Sequence, residues 1–139
     1  METTFQQLNV GWNAEPNSPD VKVEWCGPNL RLSFQMNSFQ FADFAEGDIG
    51  EIVFTDCARF RLGMLNDEAW FKGKSRFTSC RHKWGEFYEI RGDLKLDALI
   101  SDWESRISVL DGLNHYLFYF RDEDFECDAA GWDFRILQA

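Results

Sequence analysis

The sequence predicts a β-rich α+β domain: an antiparallel sheet of about six to eight strands, curled or sandwiched, with one short helix near residues 97 to 108. Three observations predict it. Aromatic residues make up 17% of the chain (14 Phe, 6 Trp, 3 Tyr), and such side chains favour pleated, half-buried surfaces. Several stretches alternate apolar and polar residues with the period of a strand. One stretch only, Leu96, Ile100, Trp103, Ile107 and Leu110, carries apolar residues at helical spacing.

Thr4 to Trp12 reads as a first strand, with Phe5, Leu8 and Val10 as its apolar positions. The following stretch to Pro19 holds two prolines among turn-forming residues, which suits a loop and excludes a central strand. Val21, Val23 and Trp25 then share one face of a strand. After the turn at Cys26–Asn29, Leu30, Leu32, Phe34 and Met36 share one face of the next, and the two runs form a hairpin. Phe39, Phe41 and Phe44 fit either more sheet or one turn of helix.

Glu51 to Gly63 is the longest strand candidate. Ile52, Phe54, Ala58, Phe60 and Leu62 share a face, and Val53, Thr55, Cys57, Arg59 and Arg61 the other. Asp56 falls among the apolar set, where a carboxylate needs a partner or a bulge that turns it outward. Asn66 to Phe71 fits one helical turn capped by Asn66. Lys72 to Lys83 is basic, and its cations are expected to pair with the chain's own acids.

Trp84 to Arg91 alternates again. The helix follows with Asp97 as cap, closed by Asp111-Gly112. Tyr116 to Arg121 is apolar on both faces, which is the pattern of a central strand. Phe125 and Cys127 mark another strand, and Trp132, Phe134 and Ile136 a last one. No repeat or composition shift divides residues 1–139, so a single domain is expected.

With 24 acids against 14 Lys and Arg, the chain carries a net charge of −10. This argues against nucleic acid, whose phosphates need a basic face, and against anionic membranes. It suits a basic protein partner, whose approach the field would accelerate. None of the four cysteines (Cys26, Cys57, Cys80, Cys127) lies in a CxxC pair, and only His82 and His115 are present. No metal site and no cofactor is expected. The opening stretch lacks a basic region before a long apolar run, so a cytoplasmic chain with reduced thiols is expected.

No phosphate-binding glycine loop or nucleophile elbow is present. Cys80 and His82 are two residues apart with no orienting group implied. Glu86 and Glu89 fall on opposite strand faces, and Asp67 and Glu68 beside Trp70 carry little weight by spacing alone. Catalysis is therefore not expected. Asp122, Glu123, Asp124, Glu126 and Asp128 form the densest acidic run. They match an EF-hand at Asp122 and Asp124, but Cys127 stands where its glycine would be. The run fits a charged hairpin tip that guards a strand edge. It also fits a docking surface, and these five acids are the candidate partner-binding residues.

The segments FRLGMLNDEAWF, WGEFYEI and HYLFYFRDEDFECDA resemble stretches of small acidic bacterial proteins. Those proteins are similar in size, acidity and aromatic content to immunity proteins of toxin systems. The resemblance extends over residues 8 to 137. It implies a stoichiometric inhibitor that masks a toxin's active site, with acids facing a basic toxin domain, and it transfers no site residues. The expected function is a non-catalytic, acidic protein-binding domain of this kind. The competing expectation is a small-ligand-binding or carboxylate-dependent enzymatic β-barrel, whose aromatics would line a cavity rather than fill a core.

Overall fold

The computed structural model describes residues 3–64, 82–92, 102–107 and 110–137. Among them, ten strands form two antiparallel sheets. The strands are β1 (Thr4–Gln7), β2 (Lys22–Cys26), β3 (Asn29–Gln35), β4 (Ile49–Thr55), β5 (Arg59–Gly63), β6 (Phe87–Arg91), β7 (Glu104–Ser105), β8 (Asn114–Tyr119), β9 (Asp124–Ala129) and β10 (Gly131–Leu137). One sheet has the order β1-β6-β8-β9-β5-β7 and the other β10-β4-β3-β2.

The α+β expectation is overturned. The described residues contain no helix and are all-β, with ten strands in two sheets of six and four rather than six to eight strands, curled or sandwiched, plus a helix. Of the helix expected near 97 to 108, residues 102–107 are described. They hold β7, which pairs with β5 through Arg59↔Ser105 and Phe60↔Glu104. Residues 97–101 and 108 lie outside the described residues, as do the helical turn at 66–71 and the basic stretch from 72 to 81. The physical reason lies in composition. Ser, Asp, Trp and Ile give segment 101–107 little intrinsic helix preference, and pairing with an edge strand outweighs a helical spacing of apolar residues.

The β2–β3 hairpin forms as the alternation predicts, turning at Gly27 with a φ of 60°. The long strand from Glu51 to Gly63 is instead two strands in different sheets. The break is at Asp56, an exposed residue with a φ of 48°. Its backbone N–H donates to Asn29 Oδ1 (3.1 Å), and the Cys57 N–H donates to the Pro28 carbonyl (3.0 Å). The chain makes a second crossing beside the first. β9 pairs with β5, β10 pairs with β4, and the Ala130 N–H donates to the Thr55 carbonyl (2.8 Å). Two adjacent strands thus pass together from one sheet to the other.

The sheets stack around one core. β3 and β4 contribute Leu30, Leu32, Phe34, Ile52 and Phe54, and β6, β8 and β9 contribute Phe87, Tyr116, Phe118, Phe125 and Cys127. Phe54 faces Phe125 at 5.4 Å between ring centroids, and Phe34 faces Phe118 at 5.2 Å. Trp12, which the first strand does not reach, enters this core after Gly11 and stacks on Phe134 at 3.8 Å. The aromatics fill the space between the sheets. Among the described residues no helix is long and apolar enough to cross a membrane, a statement that does not bear on β-barrels.

Gly50 is closely packed in the four-stranded sheet. It lies between Phe34 on β3 and Ile136 on β10. A Cβ built there would stand 2.8 Å from Phe34 Cε2 and 3.1 Å from Phe134 Cε1. Gly50→Ala is expected to cost about 1–3 kcal/mol by overpacking. A urea unfolding curve with the wild-type midpoint would contradict this packing.

Candidate functional site

The five acids of the run separate into two environments. Asp122 is exposed and Glu123 half-buried, while Asp124, Glu126 and Asp128 are buried. The last three are not on a hairpin tip. They alternate along β9 with Phe125, Cys127 and Ala129, which occupy the core between the sheets. A strand sends successive side chains to opposite faces, so the three carboxylates stand together on the far side of the six-stranded sheet. The single exposed acidic surface expected from residues 122 to 128 is corrected accordingly.

Neighbouring strands supply the counter-charges by the same alternation. Arg59 and Arg61 flank Phe60 on β5, and His115 begins the buried row of β8. Arg61 donates through Nη1 to Asp124 (2.8 Å) and Glu126 (2.8 Å), and through Nε to Asp102 (2.8 Å). Arg59 Nε donates to Asp128 (2.7 Å), and its guanidinium lies over the Trp103 ring at 3.9 Å. His115, fully buried, meets Asp128 through Nδ1 (2.9 Å) and Glu126 through Nε2 (2.8 Å). Gly63 leaves room for the arrangement, since a Cβ there would collide with Arg61 and Asp124.

An ionised carboxylate only accepts hydrogen bonds. Both His115 nitrogens face carboxylate oxygens, an arrangement that favours the doubly protonated imidazolium. Burial alone would push its pKa down, but the bonds to Asp128 and Glu126 outweigh burial and raise it above the ordinary histidine value. Burial likewise works against the Asp128 carboxylate. The bond from His115 and the Arg59 guanidinium prevail and hold its pKa below the usual range. The Asp102 pKa is lowered chiefly by its bond from Arg61. Three cations thus meet four carboxylates. Both His115 nitrogens are engaged and the ring is buried, which makes the cluster a clasp between β5, β8, β9 and Asp102 ahead of β7 rather than a reaction centre.

Beside this clasp the same face is apolar: Tyr88, Ile90, Leu117 and Tyr119 pack together with Phe5 and Trp84. Tyr119 meets His82 at 2.6 Å, and the backbone N–H of Lys83 donates to the Tyr88 hydroxyl (2.8 Å). Cys80 lies outside the described residues, so its pairing with His82 is left aside. Glu86 accepts from Gln7 and Asn9, whereas the Glu89 carboxylate pairs with Arg91. These two acids point to separate partners. Asp67, Glu68 and Trp70 lie outside the described residues. Among the described residues no group of three His, Cys, Asp or Glu side chains is placed to hold a metal ion.

Asp122 and Glu123 belong to a different feature. They line an open cleft of about 860 Å³ together with Glu15, Asp20 and Glu46, between the loop at 15–20 and the turns at 36–47. Five carboxylates surround it, and no cation lines it among the described residues. Arg121 borders it with its guanidinium turned to the Asn17 carbonyl (3.1 Å). Phe39 stands on the rim, 83% exposed. Burial and the charge of Asp122 push the Glu123 carboxyl above its usual range. Glu15, Asp20 and Glu46 are distant in sequence from the acidic run, and no local pattern signals their convergence. Compared with models of known protein families, with curated proteins and with solved structures, the chain matches none.

Proposed function

We propose that this chain is a non-catalytic protein-binding domain whose acidic cleft receives a cationic element of a partner protein, in the manner of an immunity protein neutralising a basic toxin domain. The observation that carries the reading is the cleft itself: five carboxylates, no lining cation among the described residues, and an exposed phenyl ring at the rim. A guanidinium or ammonium entering it would relieve the repulsion between Glu123 and Asp122. Phe39 would supply apolar contact of the kind that anchors interfaces. The net charge of −10 would steer such a partner inward.

The test uses the product of the adjacent gene as candidate partner, with binding measured by calorimetry at low and high salt. Changing Glu15, Glu46 and Glu123 to Gln, and Asp20 and Asp122 to Asn, is expected to weaken binding by on the order of tenfold or more and to flatten the salt dependence. Asp124, Glu126 and Asp128 are left intact, so folding is preserved. Equal affinity for the amide variant and the wild type would remove the cleft from the interface.

A further inference from the structure

We propose that this chain forms a two-fold homodimer in which β10 pairs antiparallel with β10 of a second copy, joining two four-stranded sheets into one of eight strands. β10 is a terminal strand of its sheet, seven residues long, paired along its whole length with β4 and, among the described residues, with no strand on its other side. A free edge presents unpaired N–H and C=O groups to any complementary strand. Gly131 to Leu137 contains no proline and no lysine, and its only charged residues are Asp133 and Arg135.

The residues of β10 are complementary to themselves. In a two-fold antiparallel pair centred on Phe134, Asp133 of each copy stands opposite Arg135 of the other. On the opposite face Trp132 meets Ile136, and the two Phe134 rings meet each other. Asp133 and Arg135 are both exposed on the outer face of the sheet. Arg135 already holds Glu51 on β4 (Nε to Oε1 2.7 Å), but Asp133 faces Val53 and has no ion pair among the described residues. The second copy supplies the missing cation. Shifting the centre by one residue sets Asp133 against itself, or Arg135 against itself, and like charges directly opposite are unfavourable. Charge therefore selects the register as well as the partner.

The core-facing side chains agree. Ile52 and Phe54 on β4 are fully buried, while Ile136, Phe134 and Trp132 on β10 are only partly so. A strand added beyond β10 would cover their exposed flanks. The other free edge of this sheet differs. β2 has five residues, its Glu24 is paired with Arg31, and the Arg106 guanidinium lies over Trp25 at 4.0 Å while donating to the Gly27 carbonyl (2.7 Å).

Sedimentation equilibrium on the full chain tests the proposal, with D133R and R135D as paired variants. The wild type is expected to sediment at twice the monomer mass of 16.3 kDa. Each variant alone places like charges opposite each other and should dissociate on the order of tenfold more readily. An equimolar mixture restores Arg opposite Asp at every position and should recover the dimer, which a folding defect could not do. A monomeric wild type would overturn the proposal. So would variants that dimerise as well as the wild type, or a mixture no tighter than its components.

Discussion

Replacing Arg61 with Met is expected to destabilise the protein by about 3–5 kcal/mol, the cost of leaving buried charges without their partner. Arg61 is 9% exposed and donates to three carboxylates, two of which, Asp124 and Glu126, are buried. Methionine keeps much of the volume and removes the charge, so the loss reports the ion pairs rather than a cavity. Asp102→Asn is the internal comparison. Its side chain is 54% exposed at the open end of the same cluster, and solvent screening limits its contribution to less than about 1 kcal/mol. Chemical unfolding of the two variants should therefore separate them by several kcal/mol. Equal, small losses would mean that the cluster is solvated and does not clasp the sheet.

Stability is expected to fall through His115 as pH rises above the ordinary histidine value. Its folded pKa lies above the ordinary value of about 6.5, so the folded chain binds more protons than the unfolded one across that interval. The stabilisation is complete below the unfolded value and disappears as pH rises through the folded one. The fall approaches about 1.4 kcal/mol per pH unit within the window. Asp128 behaves oppositely: its lowered pKa gives stability that is present above the ordinary carboxylate range and lost as acid protonates the folded form. His115→Leu should abolish this slope and destabilise the protein at neutral pH, because Glu126 and Asp128 each lose one of their two cationic partners and keep only Arg61 and Arg59. Nitrogen NMR provides the direct check. A singly protonated His115 ring at pH 7 would refute the double donation.

The clasp was partly legible before folding. Arg59 and Arg61 alternate with Phe60 and Leu62, and Asp124, Glu126 and Asp128 alternate with Phe125 and Cys127. Alternation of this kind is a strand signature, and the opposite signs of the two charged rows could have suggested adjacent strands. Density of charge drew attention to the acids as surface instead. A run of carboxylates is costly to bury only when unpaired, and pairing is a property of strands more than 60 residues apart, as in Arg61 with Asp124 and Glu126. The acidic cleft was less legible still, because Glu15, Asp20 and Glu46 reach Asp122 and Glu123 through three separate loops.

The order of residues by itself determined where most strands run, which side chains face the core and that the chain is strongly acidic. Those properties depend on local alternation and composition. Tertiary structure decided three matters that local pattern cannot. The long strand from Glu51 breaks at Asp56, since Asn29 and Pro28 accept hydrogen bonds there and the chain must change sheets. Segment 102–107 adds an edge strand to β5 instead of coiling, because pairing with a preformed neighbour outweighs weak helix propensity. The terminal acids divide at Asp124. Beyond that residue, strand alternation turns every second side chain onto a face where Arg59, Arg61 and His115 are waiting, while Asp122 and Glu123 stay on the loop and join the cleft.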